Sequence, residues 1–110
     1  MTVRPPQSLA PHGMSNGALN LLEYELMSER ADALGRHGLK VEKALALLKD
    51  HLEKGVSGEA RENLLNDAAD AVWAFFIQRE ICGLRSNRDA IQRYGIPGQV
   101  IARLGIVRKR

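Results

Sequence analysis

Carboxylates three residues apart are the first candidates for chemistry in this chain: Glu59 with Glu62, and Asp67 with Asp70. Residues three apart share a helix face, and oxygen pairs on opposed elements can hold a hard cation such as Mg²⁺. Here both pairs fall on one predicted helix, so they do not converge on one ion. Glu25 and Glu29, one turn apart on another predicted helix, are the remaining source of ligands. A solvated acidic face accounts for the same spacing, and no metal or other cofactor is expected. Nucleophilic chemistry has one candidate, Cys82, while His12, His37 and His51 are scattered along the chain. Cys82 falls in an apolar stripe, where a cysteine acts as a small core residue. There is no Cys/His metal spacing and no phosphate-cradling glycine loop. No catalytic residue is predicted, and the chain reads as non-enzymatic.

Charged residues in apolar stripes are the next signal. Arg79 lies between Phe75, Phe76 and Cys82, and Glu23 lies between Leu22 and Leu26. A buried guanidinium needs a carboxylate or several carbonyls, because an unpaired buried charge is costly. An Arg79–Glu23 ion pair is therefore expected, within one chain or across a dimer. The alternative is an arginine that snorkels out along an aromatic ring.

Basic residues gather at the C-terminus. Residues 1–84 carry nine bases and twelve acids, whereas 85–110 carry seven bases against Asp89 alone. Such an end can attract an anionic partner, or serve as a solvated tail. Residues 87–105 add a helix-turn-helix-like pattern: Ala90 and Ile91, then Tyr94-Gly95-Ile96, then Ile101 and Leu104. On that reading Gln99 and Arg103 face bases, and Arg93, Arg108, Lys109 and Arg110 meet phosphate. Ile91 occupies a position that favours a small residue, and Gly98 lies inside a second helix of about eight residues. A helical cap on a bundle gives the same pattern, so a DNA-binding module built on 87–105 is the alternative function, not the favoured one.

The elements that position these residues are all helical. Pro5, Pro6, Pro11 and Gly13 mark residues 1–14 as a disordered arm. A first helix is predicted from Ser15 or Asn16 to Arg36, with Leu19, Leu22, Leu26 and Ala33 as its stripe and Asp32–Arg36 as an i,i+4 pair. A second runs from Leu39 to Lys54, with Val41, Ala44, Leu45, Leu48 and Leu52 inward. Gly35 and Gly38 between them predict a short loop and an antiparallel hairpin. A third helix of roughly 25 residues starts after Ser57 and stops at Gly83. Leu64, Leu65, Ala68, Ala71, Val72, Phe75, Phe76 and Cys82 line one of its faces, and Trp73, Ile77 and Ile81 the opposite one. A helix apolar nearly all round is wrapped on both sides or buries its second face in a partner chain. Trp73, Ile77 and Ile81 are thus the predicted self-association face, and a homodimer is the predicted state. Ser86-Asn87-Arg88-Asp89 resembles a capping box and opens a short helix to Tyr94; Pro97 opens another to Leu104.

At 110 residues with 45% hydrophobic and 26% charged content, the chain suits one small globular domain, placed at 15–106 with a basic tail at 107–110. One cysteine excludes an internal disulfide framework and fits a reducing compartment. No apolar run approaches about 18 residues, and the N-terminus lacks a signal-peptide core, so cytoplasm is expected and a membrane is not.

Two resemblances bear on this reading. The carboxylate spacing is faintly similar to that of the all-α nucleoside-triphosphate pyrophosphatases, but their pairs lie on different helices, so no ion site carries over. Ala74-Phe75-Phe76-Ile77-Gln78-Arg79-Glu80 and Cys82-Gly83-Leu84-Arg85 resemble a family of short, uncharacterised bacterial helical proteins. Ala33-Leu34-Gly35-Arg36 and Gly95-Ile96-Pro97 with Leu104-Gly105 extend the likeness over most of 17–106. That resemblance implies a compact helical domain and no activity. The predicted fold is an all-α bundle: a hairpin on a long central helix, with a two-helix C-terminal cap. The predicted role is a non-enzymatic interaction or structural protein that self-associates.

Overall fold

The structure is a computed structural model that describes residues 16–106. The predicted arm at 1–14 and basic tail at 107–110 lie outside the described residues, as do His12, Arg108, Lys109 and Arg110. Four helices and no strand occur among the described residues: α1 (Asn16–Glu53), α2 (Gly58–Ile81), α3 (Arg88–Tyr94) and α4 (Gly98–Ile101). The all-α architecture follows from the 3.6-residue apolar periodicity that dominates the chain.

The largest departure from expectation is α1. The predicted hairpin at residues 36–39 is absent, and one continuous helix of 38 residues, about 57 Å long, replaces it. Gly35 and Gly38 are not in the left-handed conformation that a glycine adopts when it ends a helix. Gly38 is instead a close-approach position. A Cβ there would lie 2.7 Å from the Tyr94 hydroxyl oxygen and 3.7 Å from Phe75 Cε1. The true stop is at Gly55, which has a φ of 82°. There the Val56 N–H donates to the His51 carbonyl and the Gly55 N–H to the Leu52 carbonyl, the paired bonds of a Schellman ending.

Residues 54–57 turn the chain, and α2 runs back antiparallel along α1. The C-terminal end of α2 reaches Arg30, whose carbonyl accepts from Gln78 Nε2 at 3.3 Å and from Cys82 Sγ at 3.5 Å. The core between them contains Val41 and Leu48 of α1 and Leu65, Ala68, Ala69, Val72 and Phe75 of α2. Ala90, Ile96 and Val100 close it from the C-terminal cap. Burying each large aliphatic side chain contributes about 1.5–3 kcal/mol. Tyr94 stands edge-on to Phe75, with ring centroids 5.1 Å apart, and this pins α3 over the Gly38 gap.

α4 is shorter than predicted. It ends at Ile101, and residues 102–105 continue as tight turns, with Arg103 N–H bonded to the Val100 carbonyl and Leu104 N–H to that of Ile101. The consequence of a long α1 beside a shorter α2 is an overhang. Every residue from 20 to 32 is exposed, and no residue of α1 before Gly38 is buried. The predicted Leu19–Leu22–Leu26–Ala33 stripe therefore packs on no core: Leu22 and Leu26 are exposed. The expected Asp32–Arg36 pair is replaced by Arg36–Glu29 at 3.5 Å.

Candidate self-association surface

Trp73, Ile77 and Ile81 recur every four residues along α2, outside the buried face that Leu65, Ala68, Val72 and Phe75 form. They are 47%, 44% and 51% exposed, so the described chain covers only part of this face. The C-terminal turn backs it. A side chain at Gly105 would meet the Trp73 ring at 3.6 Å, so the indole rests near that backbone.

The end of α2 shapes the surface further. Gly83 has a φ of 85°, and the Leu84 N–H donates to the Arg79 carbonyl at 2.8 Å. That ending folds Leu84 back beside the helix, where it stays 43% exposed. Trp73, Phe76, Ile77, Glu80, Leu84, Arg85 and Asn87 then enclose a shallow depression of about 140 Å³. Leu84 and Arg85 were not among the predicted site residues. They join the surface only because the chain reverses at Gly83, and a glycine after a long apolar helix is the signal that pointed to it.

Arg79 is placed differently from the expectation within one chain. Its Nη2 donates to the Ser86 carbonyl at 2.8 Å and its Nε to Asn87 Oδ1 at 3.4 Å. Its guanidinium carbon lies 5.8 Å from the Phe75 ring centroid, a cation–π arrangement. The arginine thus clips the α2–α3 corner, and Asn87, whose backbone is helical, makes no side-chain cap for α3. Glu23 stands exposed on the overhang, and no Arg79–Glu23 bridge forms within the chain among the described residues.

The helix-turn-helix side chains are engaged elsewhere. Arg103 Nη2 donates to Glu62 Oε1 and Oε2, both at 3.0 Å, and its Nη1 donates to the Gln99 carbonyl at 2.8 Å. Gln99 Oε1 accepts from Arg61 Nη2 at 2.7 Å. These four residues tie the cap to the first half of α2. Arg93 pairs with Asp89 at 3.1 Å on the exposed side of α3. Glu62 is thus a structural anion, and no group of three or more His, Cys, Asp or Glu side chains among the described residues can hold a metal. No helix among the described residues is long and apolar enough to cross a membrane.

A second open apolar feature is a groove of about 740 Å³ along the C-terminal half of α1. Leu45, Leu52, Tyr94 and Pro97 line it, and its rim mixes Glu42 and Glu53 with Lys49 and Arg93.

These features define a small all-α protein in which an antiparallel helix pair and a two-helix cap enclose one core. The chain belongs to a family of unknown function, DUF6665, whose match covers residues 2–110. No curated protein and no solved structure matches it.

Proposed function

We propose that this protein is a non-enzymatic helical interaction protein of the cytoplasm whose first partner is itself, as a homodimer. The single observation that carries this reading is the open face of Trp73, Ile77 and Ile81, extended by Leu84. Contiguous exposed apolar surface, rich in aromatic and aliphatic side chains, marks interaction sites. Arginine at the rim, here Arg85, fits the composition of such surfaces. The cytoplasmic placement rests on the lone cysteine, which suits a reducing compartment.

Sedimentation on the order of tens of micromolar tests the reading. The wild type is expected to sediment as a dimer and the Trp73→Ala, Ile77→Ala double variant as a monomer. Both side chains are half exposed in the single chain, so the variant is expected to keep its helix content. A wild type that stays monomeric under these conditions would rule the proposal out.

A further inference from the structure

We propose that the surface covering the Trp73 face is the α1 overhang of a second copy. The exchange is reciprocal: residues 20–29 of each molecule lie on the α2–α3 corner of the other. This inference rests on the self-association reading above and names the segment that does the docking.

The overhang itself calls for a partner. Leu21, Leu22, Tyr24, Leu26 and Met27 crowd five large apolar side chains into one short stretch, each between 47% and 69% exposed. That stretch is about 15 Å of helix standing beyond the end of α2. Its continuity with the packed half of α1 removes the nucleation cost of a free helix, so it is presented preformed.

Charge favours this docking site by a small margin. Residues 20–29 carry Glu23, Glu25 and Glu29 and no base. Residues 79–89, which form the α2–α3 corner, carry Arg79, Arg85 and Arg88 against Glu80 and Asp89, an excess of one base. Opposite charge at a rim steers association and sets register.

Space and symmetry agree with that choice. A cavity of about 150 Å³ holds a benzene, so the depression of about 140 Å³ has room for one apolar side chain such as Leu22 or Leu26. The overhang begins at the level of Arg30, where α2 ends, and the Trp73 face occupies the same end of the molecule. A twofold axis near that level sets each overhang beside the partner's α2 end. The contact is isologous and closed, so both apolar patches are covered at once and no open chain of subunits forms. Pairing the two Trp73 faces directly leaves both overhangs bare.

Disulfide trapping in the full chain tests the register. Cys82→Ser removes the one thiol; in that background a Leu22→Cys chain is mixed with an Ile77→Cys chain and oxidised gently. A mixed cross-linked dimer is expected to dominate over either homodimer. Charge reversal supplies a second readout: Arg85→Glu with Arg88→Glu is expected to weaken dimerisation at least about tenfold, and Glu23→Lys with Glu25→Lys in the same chain to restore it. Leu22→Glu with Leu26→Glu is expected to sediment as a monomer with a wild-type circular dichroism spectrum. A dimer that survives this last variant and cross-links only between Ile77→Cys chains leaves self-association standing and overturns the exchange. A monomeric wild type overturns both.

Discussion

Residues 20–29 and 41–52 belong to one helix and carry comparable apolar side chains: Leu21, Leu22, Leu26 and Met27 in the first, Val41, Leu45, Leu48 and Leu52 in the second. Val41 and Leu48 are completely or almost completely buried, whereas Leu22 and Leu26 are about half exposed. Nothing in the residue types separates the two. What differs is the element opposite: α2 runs beside the second segment and stops at Arg30, short of the first. An apolar stripe states that a helix has a face to hide, and the neighbouring element decides whether the chain can hide it.

The widest separation between the two halves is expected in a pair of truncations. Leu48→Ala truncates a buried side chain and is expected to cost about 2–5 kcal/mol, read as a lower urea midpoint at unchanged slope. Leu26→Ala in dilute protein is expected to cost less than about 0.5 kcal/mol, as for other surface changes. Equal losses would mean that the overhang folds onto the body and would break the comparison.

A smaller but opposite-signed pair lies at the junction between the halves. Nothing lies within 4 Å of a Cβ at Gly35, so Gly35→Ala is expected to stabilise by up to about 1 kcal/mol through helix propensity. Gly38→Ala drives a Cβ against the Tyr94 hydroxyl and is expected to destabilise by about 1 kcal/mol or more. Adding Tyr94→Phe removes the clashing oxygen and is expected to recover most of that loss in a double-mutant cycle. A Gly38→Ala chain as stable as Gly35→Ala would show that Tyr94 is not held there.

The smallest effect concerns the cap. The Arg103 side chain is 22% exposed and Glu62 48%, so their bidentate pair is partly screened. Arg103→Ala is expected to destabilise by about 1 kcal/mol or less, with a loss that shrinks as salt is raised. A loss of several kcal/mol, insensitive to salt, would make the latch a core element.

How much was legible can be traced to particular residues. The 24-residue span of α2 and its buried face at Leu65, Ala68, Val72 and Phe75 follow directly from periodicity and the stop at Gly83. The start of α3 after Asn87 and its end at Gly95 are legible for the same reason. Gly35 and Gly38 misled, because a glycine that ends a helix and one that admits a neighbouring ring look alike in one dimension. Arg79 was legible as an arginine in need of partners. Its partners, Ser86 and Asn87, become neighbours only once the chain reverses at Gly83. Gln99 and Arg103 matched a base-reading pattern, and only the packing of the cap reveals Arg61 and Glu62 beside them.

Helical class, the apolar stripes and the charge asymmetry were written in the order of residues, because each depends on local spacing alone. The merger of two expected helices into α1, the overhang, and the corner that gathers Leu84 and Arg85 beside Trp73 were decided in three dimensions. They depend on which surfaces meet across tens of residues, and local spacing carries no record of that. Tyr94 seated over Gly38 is the clearest case: a ring contributed by α3 occupies the space that a side chain on α1 would take.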